Sequence, residues 1–147
     1  MENYLKATPR NYSTVCTYLL VNDPEQQLAF IEKVFAAEII EALKQDNQIM
    51  HAEVRIGNSV IMIGRAQEQF PAAPGMMYIF TSEVDRLYKL ALEEGAVSLM
   101  EPGERYYGHR ECGVKDPQGN QWWLASVTEK LSQEELQDRT ETQRKRS

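Results

Sequence analysis

The feature that most constrains the fold of this chain is an internal repeat. Asp23 and Ser82 can each cap the start of a helix. Ala36 and Gly95 are small residues that can end these two helices, and they are separated by the same length of chain as the two caps. Equal spacing of this kind predicts one supersecondary module that is used twice.

Each copy has the same predicted order of elements, a strand, a helix and three further strands. In the first copy the strands are predicted at 13–21, 38–44, 49–56 and 59–64. In the second copy they are predicted at 76–81, near 96–100, at 105–114 and at 120–127. The sequence therefore predicts a single α+β domain over 1–147, with two tandem βαβββ modules at about 13–66 and 75–128 and a helical tail at 129–147.

A third repeated element is the tripeptide His51-Ala52-Glu53, which returns at nearly the same separation as His109-Arg110-Glu111. In the first copy, Gly57-Asn58 suits a two-residue hairpin, which pairs Glu53 with Met62 across the strands. Because side chains alternate along a strand, His51 and Glu53 are predicted on the face of Met62. By the same argument, His109 and Glu111 are predicted on the face of Trp123.

Composition limits the partners that the chain can have. Its net charge of −6 and pI near 5.0 argue against nucleic acid, which needs a basic footprint. No apolar run approaches the roughly 20 residues that span a bilayer, so no membrane partner is expected. Two cysteines, Cys16 and Cys112, are too few for a disulfide framework, and the start of the chain has no apolar core typical of a secretory signal. A cytoplasmic protein is the expectation.

Several segments carry a resemblance to a known family. These segments are Tyr18–Asp23, Ile49–Met62, Asp116–Trp123 and the tail segment Leu131–Leu136. With them, the chain resembles the vicinal oxygen chelate superfamily of glyoxalase, bleomycin-resistance and extradiol dioxygenase proteins, and more closely its PhnB-type branch. The resemblance covers roughly 13–137 and implies a cup-shaped mixed sheet, commonly in dimers. It does not imply one activity, because this superfamily hosts unrelated chemistries on one scaffold.

The resemblance also implies where a metal would bind. Superfamily metalloenzymes carry His or Glu on the first and last strands of each module, and those places fall near Cys16, Met62, Met76 and Trp123. None of these residues is His or Glu, so no metal cofactor is expected. The alternative is a divalent metal with relocated ligands, which would require His51, Glu53, His109 and Glu111 to converge.

The two His-x-Glu pairs are also the candidate catalytic residues. Imidazole titrates near neutrality, and with a carboxylate it can act as an acid–base pair without any metal. Alternatively, each His and Glu could only satisfy each other and the nearby backbone.

Aromatic and sulfur side chains are predicted to line a ligand pocket beside these pairs. The predicted lining consists of Cys16, Tyr18, Met62, Met76, Tyr78 and Trp123, with Tyr107 at the rim. Core packing is the alternative role for the aromatic and methionine residues, and a buried inert thiol is the alternative for Cys16.

These observations lead to one expected function with two alternatives. We expect a homodimeric protein that binds a small organic molecule without the usual metal, as bleomycin-resistance relatives do. The acidic charge is compatible with a cationic ligand. The alternatives are a metal-dependent lyase, isomerase or dioxygenase with relocated ligands, and metal-free acid–base catalysis by a His–Glu pair.

Overall fold

Two four-stranded mixed sheets and four helices make up the fold in the computed structural model, which describes residues 1–146. The helices are α1 (Glu2–Ala7), α2 (Pro24–Phe35), α3 (Val84–Glu93) and α4 (Gln133–Arg146). The strands are β1 (Thr17–Val21), β2 (Glu38–Gln45), β3 (Gln48–Ile56), β4 (Ser59–Arg65), β5 (Met76–Phe80), β6 (Val97–Glu104), β7 (His109–Lys115) and β8 (Gln121–Val127). None of the helices within 1–146 combines the length and apolar content needed to cross a membrane.

The chain separates into two units, and each contains one sheet. The first unit comprises Met1–Gly75 together with Pro117–Asn120, and the second comprises 76–116 and the chain from 121 onward. The first sheet has the order β1-β4-β3-β2 and the second the order β5-β8-β7-β6, with only the β1–β4 and β5–β8 pairs parallel. The repeated β-α-β-β-β order confirms the predicted fold class.

Helix α2 begins and ends where local sequence signals predict. The Asp23 carboxylate accepts a hydrogen bond from the backbone N–H of Gln26 at 3.0 Å, and Pro24 occupies the first helical position. Ala36 ends the helix in the left-handed conformation, with φ of 50°.

Helix α3 starts differently from the prediction. Ser82 was the predicted cap, but the N-cap residue is Glu83, and its side chain makes no capping hydrogen bond. Instead, the Thr81 hydroxyl accepts a hydrogen bond from the backbone N–H of Glu83 at 3.0 Å, a local bond that replaces the cap. The predicted left-handed end at Gly95 is confirmed, with φ of 99°.

The β3–β4 hairpin has the predicted register. Glu53 pairs with Met62 and Ile56 with Ser59, on either side of the Gly57-Asn58 turn. The side chains between this hairpin and α2 are apolar and almost fully buried: Ala52, Val54, Ile61 and Ile63. The opposite face, here called the open face of the first sheet, carries His51 and Glu53.

In the second sheet, strand pairing places Gly113 opposite Trp123 and Glu111 opposite Ala125. His109 and Glu111 therefore share the face of Trp123, as predicted. We call this face the open face of the second sheet. Strand β7 begins at His109 and not at 105, because Arg105 N–H donates to the His109 carbonyl across a tight turn in which Gly108 has φ of 83°.

The two His-x-Glu pairs do not occupy equivalent places in their sheets. In the first sheet, Glu53 lies in the same cross-strand row as Tyr18. In the second sheet, the row of Tyr78 contains Gly113. Glu111 lies two residues before Gly113 along β7, in the next row on the same face. The longer turn between β7 and β8 shifts the alignment relative to the β3–β4 hairpin. The sequence repeat of His-x-Glu is therefore displaced from the structural repeat.

The ends of the chain are helical. Ser132 and Glu135 form a capping box at the start of α4, with bonds of 3.2 and 3.1 Å between side chains and backbone N–H groups. Helix α4 continues to Arg146 without burying a residue. Helix α1, also without buried residues, was not predicted from the sequence.

Candidate functional site

Four side chains near the open face of the first sheet form a continuous chain of hydrogen bonds. The Tyr18 hydroxyl lies 3.2 Å from His51 Nδ1, and His51 Nε2 lies 2.7 Å from Glu53 Oε2. The Tyr12 hydroxyl donates to the other Glu53 oxygen at 2.5 Å. Glu53 is only 8% exposed, and both of its oxygens have partners.

A glycine allows Tyr18 to reach His51. Gly64 of β4 lies between Leu20 of β1 and His51 of β3 in one cross-strand row. A Cβ atom on Gly64 would lie 2.5 Å from the Tyr18 hydroxyl oxygen, so the tyrosine ring crosses β4 where there is no side chain. The Tyr18–His51 bond therefore depends on glycine at this position.

The hydrogen bonds determine the charge of this site. Bonds from His51 and Tyr12 hold the pKa of Glu53 below its usual value, although burial opposes them. The same Glu53 carboxylate raises the pKa of the Tyr12 hydroxyl. Glu53 is therefore ionised near neutral pH. Glu41 of β2 lies directly opposite Glu53, which adds a second carboxylate to this part of the sheet.

A cavity of about 420 Å³ adjoins Tyr18 in the first unit. Its lining residues are Tyr18, Leu20, Met50, Gly64, Arg65, Gln67 and Phe70. The Arg65 guanidinium is already bound to Glu25 at 2.6 Å and to the Ile49 carbonyl at 2.9 Å. The cavity is within the size range of small-molecule sites, and its free surface is mainly apolar and aromatic.

Tyr12 borders a second, more polar cavity of about 590 Å³ in the same unit. It is lined by Asn11, Tyr12, Ser13, Glu38, Arg55 and Asn58. The Arg55 guanidinium donates to the Asn11 carbonyl at 2.8 Å, which closes one side. The His51–Glu53 pair therefore connects, through one tyrosine each, to two cavities of different polarity.

In the second unit, a buried carboxylate is again bound by tyrosines. Glu111 is 5% exposed and accepts hydrogen bonds from Tyr78 and from Tyr107, the latter at 2.5 Å. Burial, and then the bond to Glu111, raises the pKa of both tyrosines. The Tyr78 hydroxyl also lies 3.0 Å from His109 Nδ1. Phe80 packs edge-on against His109, with 5.9 Å between ring centroids.

The other predicted site residues have varied environments. Met76 is exposed on β5, and the Trp123 ring lies over Gly113, where an added Cβ would come within 2.7 Å of it. Met62 is partly exposed on the open face of the first sheet. Cys16 precedes β1, and its thiol donates to the Ser13 carbonyl at 3.3 Å.

The sequence analysis missed three residues of the first site: Tyr12, Glu41 and Gly64. Tyr12 lies in an irregular segment whose course has no periodic signal. Glu41 could not be paired with Glu53 beforehand, because bulges interrupt the β2–β3 register on both sides. Gly64 could have been found, since its pairing with His51 follows directly from the predicted hairpin register.

A group of possible metal ligands also lies on the open face of the first sheet. Glu41, His51 and Glu53 each place a ligand atom within 4.8 Å of the others. However, His51 Nε2 and Glu53 Oε2 hydrogen-bond to each other, so an ion at this place would have to break that bond. The hydrogen-bonded pair already satisfies both groups without a cation.

One protein-family model covers most of the chain. The model of the Glyoxalase/Bleomycin resistance protein/Dioxygenase superfamily matches residues 13–124. The chain belongs to this superfamily. The match includes both His-x-Glu pairs and most of both sheets.

Individual relatives are distant. The uncharacterized protein Mb0911c of Mycobacterium bovis is 24% identical over 132 residues, covering 82% of this chain and 87% of the relative. TioX from Micromonospora sp. ML1 superposes with a TM-score of 0.68 at 19% identity, covering 77% of this chain and 97% of TioX. TnmS3, an antibiotic binding protein from Streptomyces sp. CB03234, has a TM-score of 0.62 at 16% identity, covering 76% of this chain and 93% of TnmS3. The likeness to these two structures shows the fold alone.

Glyoxalase-superfamily proteins usually bind a metal, but the residues at the places that the resemblance assigns to ligands do not fit one. The indole N–H of Trp123 is a donor without a lone pair, and it is bound to Gln121 at 3.0 Å. Met62 and Met76 offer only thioethers, which suit soft ions such as Cu(I), and Cys16 is a single thiol. These four side chains therefore do not suit the superfamily's usual metal.

Proposed function

We propose that this superfamily member binds a small organic molecule in the cavity beside Tyr18 in its first unit, without a metal at the usual positions. One observation carries the proposal: the half-exposed Tyr18 faces this cavity and is hydrogen-bonded to His51, which in turn pairs with the buried Glu53. An apolar wall with a few convergent polar groups is typical of small-molecule sites.

The lining indicates what kind of molecule fits. Leu20, Met50 and Phe70 offer an apolar and polarizable surface to a flat or hydrophobic body. Tyr18 offers a hydroxyl at one end for a polar group. TnmS3, which shares the fold, is described as an antibiotic binding protein, which supports a ligand of organic character here.

We propose that the predicted residues of the second unit form a ligand-contact surface of their own within that unit. Tyr78, Tyr107, His109 and Glu111 form a hydrogen-bonded aromatic cluster, and Met76 and Trp123 of the same sheet offer further apolar area. Cys16 and Met62 are proposed as further ligand contacts on the first unit, outside the residues that line the cavity. In this proposal these residues recognise ligand and do not coordinate an ion.

A ligand screen followed by two matched variants tests this function. Organic compounds are screened by thermal shift in the presence of EDTA, and hits are measured by calorimetry. We expect the Phe70→Ala variant to weaken binding roughly tenfold, since about 1.4 kcal/mol of apolar contact is lost. Tyr4→Ala removes an equally exposed aromatic from α1 and should leave the affinity unchanged. Compounds that bind only when a metal ion replaces EDTA, or whose affinity is unchanged in Phe70→Ala, would refute the proposal.

Metal analysis tests the alternative of a lyase, isomerase or dioxygenase with relocated ligands. The purified protein is incubated with zinc, manganese, nickel or iron(II) and its metal content is measured. We expect less than about a tenth of an equivalent, because His51 and Glu53 satisfy each other. About one equivalent, lost on His51→Ala or His109→Ala, would instead support the relocated site.

We propose further that the protein is a cytoplasmic homodimer with no nucleic-acid or membrane partner, closest to the PhnB-type branch. Large apolar side chains remain exposed on β5 and β6, including Phe80, Val97 and Leu99. Light scattering coupled to gel filtration should give twice the chain mass of 16.9 kDa. A single-chain mass at micromolar concentration would remove the dimer from this proposal.

A further inference from the structure

We propose that His51 is a proton acceptor for the first unit's cavity, acting through Tyr18, and that the bound molecule presents a weakly acidic hydroxyl to Tyr18. This inference rests on the proposed function, because it requires a ligand in the cavity beside Tyr18. It assigns the ligand to a chemical class, phenols and enols. It also adds a proton transfer to His51, which binding alone does not require.

The charge on Glu53 determines which nitrogen of His51 carries the proton. An ionised carboxylate can only accept hydrogen bonds, so the 2.7 Å contact with His51 requires a proton on Nε2. In a neutral imidazole the other nitrogen then has a free lone pair. His51 Nδ1 is therefore the acceptor of the Tyr18 hydroxyl, which lies 3.2 Å away.

This arrangement defines a path for one proton. A ligand hydroxyl in the cavity donates to the Tyr18 oxygen, whose own hydrogen points at His51 Nδ1. Transfer of the ligand proton to Tyr18 and of the Tyr18 proton to His51 leaves a ligand oxyanion, a neutral tyrosine and an imidazolium. Charge and atoms balance without any further reactant, and an oriented carboxylate behind the imidazole follows the general logic of activated acid–base groups.

Most of the ionisable groups around the His51 ring are acidic or phenolic. His51 is faced by Tyr18 from β1, Glu41 from β2 and Glu53 from its own strand β3. Tyr12, from the segment before β1, binds Glu53. Arg55 lies two residues beyond Glu53 on the same face of β3. The Arg55 guanidinium is turned to the Asn11 carbonyl and lies 4.0 Å from Glu38. Two carboxylates and one arginine leave a net negative charge near the ring.

The second unit provides a comparison, because its histidine has the opposite arrangement. The Tyr78 hydroxyl donates its hydrogen to Glu111, so its 3.0 Å contact with His109 must receive a proton from His109 Nδ1. Glu111 has Tyr78 and Tyr107 as partners and does not orient the imidazole. His109 is therefore expected to carry its proton on Nδ1.

The tautomers can be measured without any ligand. Nitrogen-15 correlation spectra of histidine-labelled protein at about pH 8 distinguish the two forms of a neutral imidazole. We expect His51 protonated on Nε2 and His109 protonated on Nδ1, and the Glu53→Gln variant should abolish the preference at His51 alone. A proton on Nδ1 of His51 in the unmodified protein would overturn the inference.

The proton transfer is tested with 4-nitrophenol, whose ionised form absorbs at longer wavelength. At about pH 7, where an ordinary imidazole is mostly neutral and part of the free probe is still neutral, we expect binding to raise the phenolate fraction in the unmodified protein. His51→Gln and Tyr18→Phe should each remove at least about nine-tenths of that signal. Tyr88→Phe deletes a hydroxyl that bonds to Ser98 in the second unit, and it should leave the signal intact.

The outcomes separate this inference from the proposed function. Bound probe that stays neutral, or phenolate that persists in His51→Gln, would overturn the relay while leaving ligand binding established. If 4-nitrophenol does not bind at millimolar concentration although other screening hits do, phenols are excluded as the ligand class. If nothing binds in the cavity, the proposed function itself fails.

Discussion

Individual glycines determine which side chains can cross the two sheets. At Gly64 the group that occupies the space of a Cβ is the hydroxyl end of Tyr18, a flexible side chain. At Gly113 it is the Trp123 ring, three atoms of which lie within 2.7 to 2.8 Å. The same substitution should therefore have different consequences at the two positions.

We expect Gly64→Ala to change the free energy of unfolding by less than about 1 kcal/mol, because Tyr18 can turn away into the cavity. The variant should nevertheless lose the Tyr18–His51 bond and with it affinity for hits from the ligand screen. Gly113→Ala should cost roughly 1–3 kcal/mol, since a rigid ring would have to shift instead of the end of a flexible side chain. Urea unfolding of both variants checks this, and equal losses would contradict the assigned roles.

Glu53 should make stability depend on pH. Its pKa is lowered in the folded protein, so the stabilisation is present above the unfolded value of about 4.3 and is lost as pH falls through the folded value. We expect Glu53→Gln to cost roughly 1–3 kcal/mol near neutral pH, since charged hydrogen bonds from His51 and Tyr12 are weakened. The difference between the variant and the unmodified protein should shrink toward about pH 3. A constant difference across this range, by urea unfolding, would exclude an ionised Glu53.

At the scale of elements, helix α2 depends on a turn that is distant in sequence. Within the first unit, the buried Asn120 accepts a hydrogen bond from the Gly75 N–H and donates to Gln27, both at 2.7 Å. The Gln118 side chain accepts from the Asp23 N–H at 3.1 Å, at the start of the helix. This contact between the turn and α2 was not predicted from the sequence.

Asn120→Ala should therefore lower the free energy of unfolding by more than a substitution in a turn usually does. It removes two hydrogen bonds and leaves buried polar partners with fewer contacts, which costs roughly 1–3 kcal/mol for each partner left unsatisfied. The nearby Asp23→Ala variant, which removes only the helix cap, should cost about 1 kcal/mol. Chemical unfolding of both variants checks the order, and a larger loss for Asp23→Ala would contradict it.

Helix α4 should contribute little to the stability of the rest of the chain. It buries no residue, and Arg139 connects it to the rest of the second unit by donating to Glu129 at 2.5 Å and to the Tyr106 carbonyl at 3.1 Å. Exposed ion pairs of this kind contribute about 0–1 kcal/mol. Truncation after Leu131 should shift the thermal midpoint by only a few degrees. A large drop, or a change in oligomeric mass, would show that α4 packs against a partner chain.

At the scale of the whole molecule, the superfamily scaffold is present, and the positions that the resemblance assigns to metal ligands carry other residues. If no structural ion stabilises the fold, EDTA should leave the thermal midpoint unchanged to within about one degree. Excess zinc should also fail to raise it, since linkage requires an ion that binds the folded state. A thermal midpoint that falls when EDTA is added, measured by scanning calorimetry, would indicate that a metal ion stabilises this protein.

Rules that act locally determined much of this protein from its sequence. Helix α2 was predicted at both ends by capping residues, and the β3–β4 hairpin by a two-residue turn whose length leaves one register. That register placed His51 and Glu53 on one face before any tertiary information, because side chains alternate along a strand.

The tertiary structure alone decided which residues those two side chains meet. Tyr12 reaches Glu53 from a segment without periodicity, and Glu41 reaches it across a strand pair with bulges. The row shift between Glu53 and Glu111 arose from the longer turn of the second copy. Contacts between residues far apart in sequence depend on the path of loops and on the register of irregular strands, and neither is encoded by a local pattern.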